Sequence, residues 1–409
     1  MPKKDNNKKP NITIVGGGMV GLSLALLLAQ EKNLNITLIE KFSLSDKNKK
    51  PKQPSFDERS TALSAGSFGI LNAIAGMESL RESLQAIETI HVSDRGHLGG
   101  TQIHAQEHKV DALGYVVENQ HLGSALLDAI AKSHVDCITA TVTKAEPIAR
   151  GFNCFINSDG KESTIKTDCL IVADGAQSPL RQQLGIDHSV KPYPQVAMVA
   201  NVALQNNHHG IAYERFTHEG PIALLPLKDY RQQHRAALVW TIAKDQLAEY
   251  EQADTQTLIE ALHQRLGYRA GMIDDIGERH FYPLELVEAK EQVRSNLVIL
   301  GNAAHFLHPV AGQGFNLALR DCQQLSKVII DGLQQSDLAV GSLQTLQTYL
   351  ERQRFDQQKT IGITDQLVKL FSTEHSGLSV LRQLGLMGLM AIPGAKHSFA
   401  KLMMGRNHV

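Results

Sequence analysis

Cysteine is scarce in this chain of 409 residues: four, at positions 137, 154, 169 and 322, with no C-x-x-C pair and no zinc-like spacing. That argues against a disulfide scaffold and suits small buried hydrophobes in a reducing compartment. Net charge is missing too. Lysine and arginine number 41 against 42 aspartates and glutamates, a formal net charge of -1, so the overall balance makes no case for nucleic acid. No apolar run reaches the roughly 18 residues that a membrane span needs. The nearest approach, 377–395, is broken by Arg382, Gln383 and Pro393. The opening MPKKDNNKKP has no apolar core or cleavage signature, which argues against a secretory signal. A cytoplasmic protein is expected, with membrane association as the alternative. No metal is expected either: His305 and His308 stand close together, but Pro309 keeps them off a regular helix and no carboxylate or cysteine lies at suitable spacing.

What the chain does have is an organising stretch at its start, NITIVGGGMVGLSLALLLAQ, from Asn11 to Gln30. A short β-branched run, a glycine cluster and a long apolar run read as strand, tight turn and helix, with Gly16, Gly18 and Gly21 in G-x-G-x-x-G spacing. Gly16 permits the turn, Gly18 lets the backbone approach a pyrophosphate, and Gly21 allows close packing of helix on strand. The helix then points free N–H groups and its positive dipole end at a diphosphate. A second strand, Asn35 to Ile39, ends in Glu40, placed to accept the hydroxyls of an adenosine ribose.

Along the rest of the chain, Ser60 is expected to cap a helix carrying Leu63, Phe68, Leu71 and Ile74, ended by Gly76, with Arg59 just before it. A helix is expected over His121 to Lys132. The buried run Cys169 to Ala173 closes on Asp174 and Gly175, after which Ser178 and Pro179 start a turn carrying Arg181. Alternation puts Val196, Met198, Ala200, Val202 and Leu204 on one face. With Ile211–Thr217, Ile222–Pro226 and Ala237–Ile242 this predicts an antiparallel sheet in a second domain. A third strand, Leu297 to Leu300, runs into GNAAHFLHPVAGQGFNLALRD, where Gly312 and Gly314 open a helix whose free amides form an anion-stabilising nest. Helices follow from Leu346, and the leucine- and methionine-rich tail suits either a cap on the main domain or a surface for lipid or a partner.

Three glycine junctions in this order, GGGMVG, ADG and GNAAHFLHPVAGQGFN, resemble the FAD-dependent aromatic hydroxylases of the p-hydroxybenzoate hydroxylase type. DERSTALSAGS, HVSDRGHLGG and YERFTHEGPIALLPL narrow the likeness to the ubiquinone-biosynthesis branch, over nearly the whole chain after residue 10. The resemblance implies a mixed α/β fold: a Rossmann-type FAD-binding domain (11–85, 112–190 and 293–345), an inserted antiparallel-sheet substrate domain (86–111 and 191–292), a helical C-terminal region (346–409) and a flexible basic tail (1–10). It also implies site roles. Gly16, Gly18 and Gly21 would hold the FAD pyrophosphate, Glu40 the ribose, and Arg59 and Gln120 would make polar contacts to FAD. Asp174 and Gly175 would support the FAD site, and Gly301 and Asn302 the ribityl chain, Asn302 standing where the family usually has aspartate. Pro309, Gly312, Gly314 and Asn316 would surround the isoalloxazine ring.

The implied activity is oxygen transfer from a peroxide at the flavin C4a carbon to a polyprenylated (methoxy)phenol, with NAD(P)H as reductant. The pocket must exclude water and stabilise the anionic reduced ring. Leu224 and Leu225 are expected to wall it, with Phe216 beside them and His308 as a candidate acid or base. The other readings are an aromatic-acid hydroxylase of a degradative pathway and a noncatalytic FAD-holding subunit of a biosynthetic assembly. The expected partners are the small-molecule phenol and, through the C-terminal region, a membrane surface or other ubiquinone-biosynthesis proteins. Self-association is left open.

Overall fold

The computed structural model describes residues 9–44, 53, 55–57, 59–95, 100–217, 219–307, 312–334, 339–371, 400–401 and 404–405, with the backbone alone for 367–371. Two large sheets carry the architecture. The first has six strands in the order Val293–Arg294, Leu297–Ile299, Cys169–Val172, Asn11–Val15, Asn35–Glu40 and Asp136–Thr139. All neighbours are parallel except the first pair. A parallel sheet is covered on both faces, which is why its strands read as continuous apolar runs. Ile12 and Ile14 face the helical layer, where the helix Met19–Leu28 meets Asn119–Ala131 and Gln313–Gln334. Val15, Leu170, Val172 and Ile299 face the other way, onto Ala145, Phe152 and Cys154 of a three-stranded antiparallel sheet spanning Thr141–Ile148, Gly151–Ser158 and Lys161–Thr167.

The second sheet runs His305–Phe306, His280–Ala289, His188–Leu204, Gln233–Ala243, Gly220–Tyr230, Ile211–Thr217, Thr89–Asp94 and Gly100–His104. A ninth strand, Ile273–Ile276, also pairs with His188–Leu204. One pair departs from the expected antiparallel pattern: Ile211–Thr217 runs parallel to Thr89–Asp94, because the two arrive from distant parts of the chain rather than through a hairpin. Val196, Met198, Ala200, Val202 and Leu204 all face one core, packed with Trp240 against Leu258 and Leu262 of the helix Thr255–Leu266, as their alternation predicts.

Ser60 does not cap a helix. Residues Ser60–Ser64 form a strand paired with Gly114–Glu118, and the helix starts four residues later, at Ala65–Asn72. Ser64 is the cap, its Oγ accepting the Ser67 N–H at 3.1 Å. That helix ends at Asn72, before Gly76, and the helix expected from His121 begins at Asn119. The 29-residue helix Leu343–Phe371 forms the described part of the C-terminal region, and most of the tail beyond it lies outside the described residues.

Candidate functional site

Local backbone requirements fix the first strand end. Gly16 sits at φ +110°, and a Cβ there would lie 2.3 Å from the Ala173 carbonyl oxygen, so the first and second junctions touch through the absence of a side chain. A Cβ on Gly21 would stand 1.9 Å from the Gly16 oxygen, the close helix-on-strand packing that the spacing predicts. At Gly18 the nearest atom to such a Cβ is Ser55 Oγ at 3.5 Å, which leaves the backbone open toward the cavity. Gly18 is also the N-cap of Met19–Leu28 and makes no side-chain cap, leaving first-turn amides available to an anion.

Glu40 is buried. Its Oε2 accepts the Gly17 N–H at 2.5 Å and its Oε1 the Phe42 N–H at 3.1 Å, which holds the carboxylate rigidly at the strand end while each oxygen keeps a free lone pair. Sequence reasoning missed Gly17: a Cβ there would lie 2.8 Å from Glu40 Cβ and force the carboxylate away. Its signal was available as the middle glycine of a run of three.

At the second junction Asp174 is held under the surface with Oδ1 unpartnered. Burial raises its pKa, opposed by the Ser178 hydroxyl, local backbone N–H groups and the Arg181 charge. The turn that follows is capped by Ser178, whose Oγ accepts the Arg181 N–H at 3.0 Å, with Pro179 in the first helical position. The buried Arg181 side chain donates to the Ala303 carbonyl at 2.7 Å and to that of Ala176 at 2.9 Å, tying the second junction to the third.

At the third junction Gly301 and Gly312 both sit at φ +61°. A Cβ on either would press on Val20 at 3.0 Å or Ala62 at 3.1 Å respectively. His305 is buried and pairs through Nε2 with Asp321 Oδ2 at 2.6 Å. Asp321 Oδ1 accepts from Gln353 at 2.6 Å and Gln357 at 3.0 Å, so this histidine anchors its loop to two helices.

These three ends enclose one cavity of about 670 Å³, a volume typical of small-molecule and cofactor sites. Gly16, Gly18, Glu40, Arg59, Asp174, Gly175, Asn302, Gly312 and Gly314 all line it, together with the apolar Phe306, Leu307 and Phe315. Arg59 is ion-paired with Asp57 and stacked 5.0 Å from the Tyr282 ring centroid. Gly21 and Gly301 stand behind the wall as packing residues.

Several anticipated positions do not line it, Gln120, Phe216, Leu224, Leu225 and Asn316 among them. Gln120 is off the cavity and its neighbour Asn119, the first residue of the helix, lines it instead, held by Thr61 at 2.7 Å and Asp57 at 3.2 Å. Asn316 is buried and fully engaged with backbone: Oδ1 accepts from Ser64 N–H at 2.8 Å, and Nδ2 donates to the carbonyls of Ala62 at 2.8 Å and Gly312 at 2.6 Å. It braces the loop rather than facing the cavity. Leu224 packs with Trp240 and Leu258 in the core on the far side of the second sheet, since adjacent strand residues point to opposite faces. Leu225 and Phe216 share the near face. His305 is the anchor just described, while His308 and Pro309 lie outside the described residues.

A family model described as an FAD binding domain matches residues 9–359. The chain belongs to this FAD-binding family. It is similar to the ubiquinone hydroxylase UbiL of Rhodospirillum rubrum, 30% identical over 404 residues covering 98% of this chain and 90% of that protein. It is also similar to the 3-demethoxyubiquinol 3-hydroxylase of Escherichia coli, 30% identical over 395 residues covering 93% of this chain and 95% of that protein. Among solved structures, the p-nitrophenol 4-monooxygenase PnpA of Pseudomonas putida shares the fold with a TM-score of 0.76 at 16% identity, covering 98% of this chain and 99% of that one.

The residues present fit FAD. The open backbone at Gly18, the unpartnered Asp174 Oδ1, the free space at Gly175 and Gly314, and the oriented Glu40 carboxylate are polar and glycine elements of one elongated wall. All three strand ends line the one cavity.

Proposed function

We propose that this protein is an FAD-dependent monooxygenase that hydroxylates a polyprenylated (methoxy)phenol in ubiquinone biosynthesis, with NAD(P)H as the electron donor. The observation that carries the reading is the meeting of three glycine strand ends on one cavity whose lining also includes the apolar Phe306, Leu307 and Phe315. The names of the relatives supply the substrate class.

In this reading the first-turn amides after Gly18 bind the pyrophosphate, Glu40 orients the ribose, and Arg59 and Asn119 contribute polar contacts. Asn302 holds the ribityl chain. The free amides at the start of Gln313–Gln334 lie beside Gly314 and stabilise negative charge on the ring system. Bound FAD supplies the electron transfer and the activation of O₂. Leu307 and the near face of the second sheet exclude water from the reacting end. Residues 11–85, 112–190 and 293–345 then form the FAD-binding part and 86–111 with 191–292 the substrate part. The C-terminal region, with Phe355 exposed, is the side offered to the membrane that carries a prenylated substrate.

The test is to purify the protein, identify the bound flavin, and profile quinone intermediates in a strain lacking it. Accumulation of a prenylated phenol is the expected outcome. Unchanged quinone pools under aerobic growth would defeat the reading.

A further inference from the structure

The face of the second sheet turned toward the cavity is uncovered along one row. Register aligns Val199 with Val239, Val239 with Ala223, and Ala223 with Glu214, on four consecutive strands. Each of the four keeps part of its surface accessible, whereas Met198, Leu238, Ile222 and Trp240 on the reverse face are fully buried. Val199 packs in the same cluster as Leu307, a residue of the cavity wall. From Val199, which packs in that cluster, the row therefore runs on by three inter-strand steps of about 4.8 Å each, and it ends on a carboxylate.

Glu214 has no hydrogen bond or ion pair among the described residues. It stands between Ala212 and Phe216 on its own strand and opposite Ala223 and Val92 on its neighbours. An unpaired carboxyl on an apolar wall is costly to keep charged. Burial alone pushes its pKa up to about 7. It is thus desolvated on the apolar face of the sheet while part of its surface stays accessible.

The charged groups around it are accounted for. Asp94 shares its face, opposite Phe216, and His280 lies at the other end of the row beside Val199. Arg59 is stacked on Tyr282, which shares this face opposite Ala197. Arg215 and His91 belong to the reverse face, where the Arg269 guanidinium meets His91 Nε2 at 2.8 Å. On the edge strand beyond His280–Ala289, His305 is engaged with Asp321. None of these groups contributes to the Glu214 shift.

We infer that Glu214 is a catalytic residue of the substrate hollow, accepting the hydrogen bond of the phenolic hydroxyl and then its proton as the ring is oxygenated. The inference rests on the monooxygenase reading and deepens it. The transfer breaks the phenolic O–H bond and leaves its electron pair on oxygen, raising electron density at the ring carbons ortho and para to it. When the hydroxylated carbon loses its hydrogen as a proton, Glu214 returns the first proton to the phenolic oxygen. The lost ring proton ends in the water made from the second oxygen atom of O₂, with two electrons from NAD(P)H. A group titrating near neutrality is matched to this task. The same carboxylate disfavours an anionic aromatic acid in the hollow, so a neutral phenol is the substrate class it selects.

The test uses the FAD holoenzyme, Glu214→Gln and Glu214→Leu, with 2-methoxy-6-prenylphenol and its methyl ether as probes. Binding is read from perturbation of the flavin absorbance and oxygenation from product formed in a single turnover. Glu214→Gln should retain FAD and bind the phenol within about threefold of wild type, yet lose ~10²-fold or more in rate. It should also lose the rise with pH centred near 7 that the wild type shows. Wild type should prefer the phenol over the ether by about tenfold, and Glu214→Leu should erase that preference. A Glu214→Gln enzyme with wild-type rate and pH profile overturns the inference, as does a missing preference in wild type or its survival in Glu214→Leu. If wild type hydroxylates no prenylphenol, the activity reading and the proton transfer fail together, and the phenol-to-ether preference in binding separately decides whether Glu214 accepts the phenolic hydrogen bond.

Discussion

Replacing Asn316 by alanine separates a brace from a flavin contact. The side chain satisfies three backbone groups, the Ser64 N–H at 2.8 Å and the carbonyls of Ala62 at 2.8 Å and Gly312 at 2.6 Å, and joins residues 252 and 254 positions apart in the chain. At about 1 kcal/mol net for each bond lost from a buried site, the substitution costs the apo-protein about 3 kcal/mol. With an m-value of about 3 kcal/mol/M for a chain of this size, the urea midpoint falls by about 1 M. Flavin affinity falls too, because Gly312 and Ala62 line the cavity and lose their shared tether. Asn316→Asp is the sharper variant: it can still accept from Ser64 but places a carboxylate against two carbonyl oxygens, so it should be no better than alanine. Urea denaturation followed by tryptophan fluorescence, with and without FAD, measures both effects. An alanine variant with a wild-type midpoint and weakened FAD binding would refute the reasoning, since only direct contact with the flavin produces that combination.

Glu40→Ala removes the acceptor of the Gly17 and Phe42 amides. It should weaken FAD by about tenfold, or 1.4 kcal/mol, while leaving FMN, which has no adenosine, unaffected in a fluorescence titration. Arg181→Met leaves the Ala303 and Ala176 carbonyls without their donor. A loss of about 2 kcal/mol in apo-protein stability is expected by urea denaturation. Glu214 has a folded-state pKa of about 7 against an ordinary 4.5. Its contribution to stability is therefore present below pH 4.5 and is lost as pH rises through 7, since the folded state binds the proton more tightly. Glu214→Gln should accordingly gain stability relative to wild type between pH 5 and pH 8, whereas a constant difference across that range would contradict the assignment.

Much of the cofactor side was legible in the chain because it depends on local backbone chemistry. Gly16, Gly18 and Gly21 lie within six residues, and Glu40 ends the adjacent strand, so short-range pattern is enough to locate them. What the sequence could not reveal depended on partners far away. The strand Ser60–Ser64 exists because Gly114–Glu118 pairs with it, so Ser64 rather than Ser60 caps the helix. The inward turn of Asn316 needs Ala62 and Ser64 to be in place. Leu224 and Leu225 are equally apolar, and only the register with Tyr213 and the sheet's orientation decides which of them packs with Trp240 and which against Leu113 and Val116. Glu214 escaped notice for the same reason. In the string YERF its charge reads as the solvent side of an edge strand, until the flanking Thr89–Asp94 strand encloses it.

Equilibrium titration with FAD tests whether three strand ends serve one flavin. Gly18→Val, Asp174→Leu and Gly314→Val each put bulk or remove polarity at a different strand end, at positions that line the cavity. Wild type should bind a single equivalent of FAD, and all three variants should weaken that one binding event. Wild-type FAD affinity in any one of them would detach its strand end from the site and contradict the account.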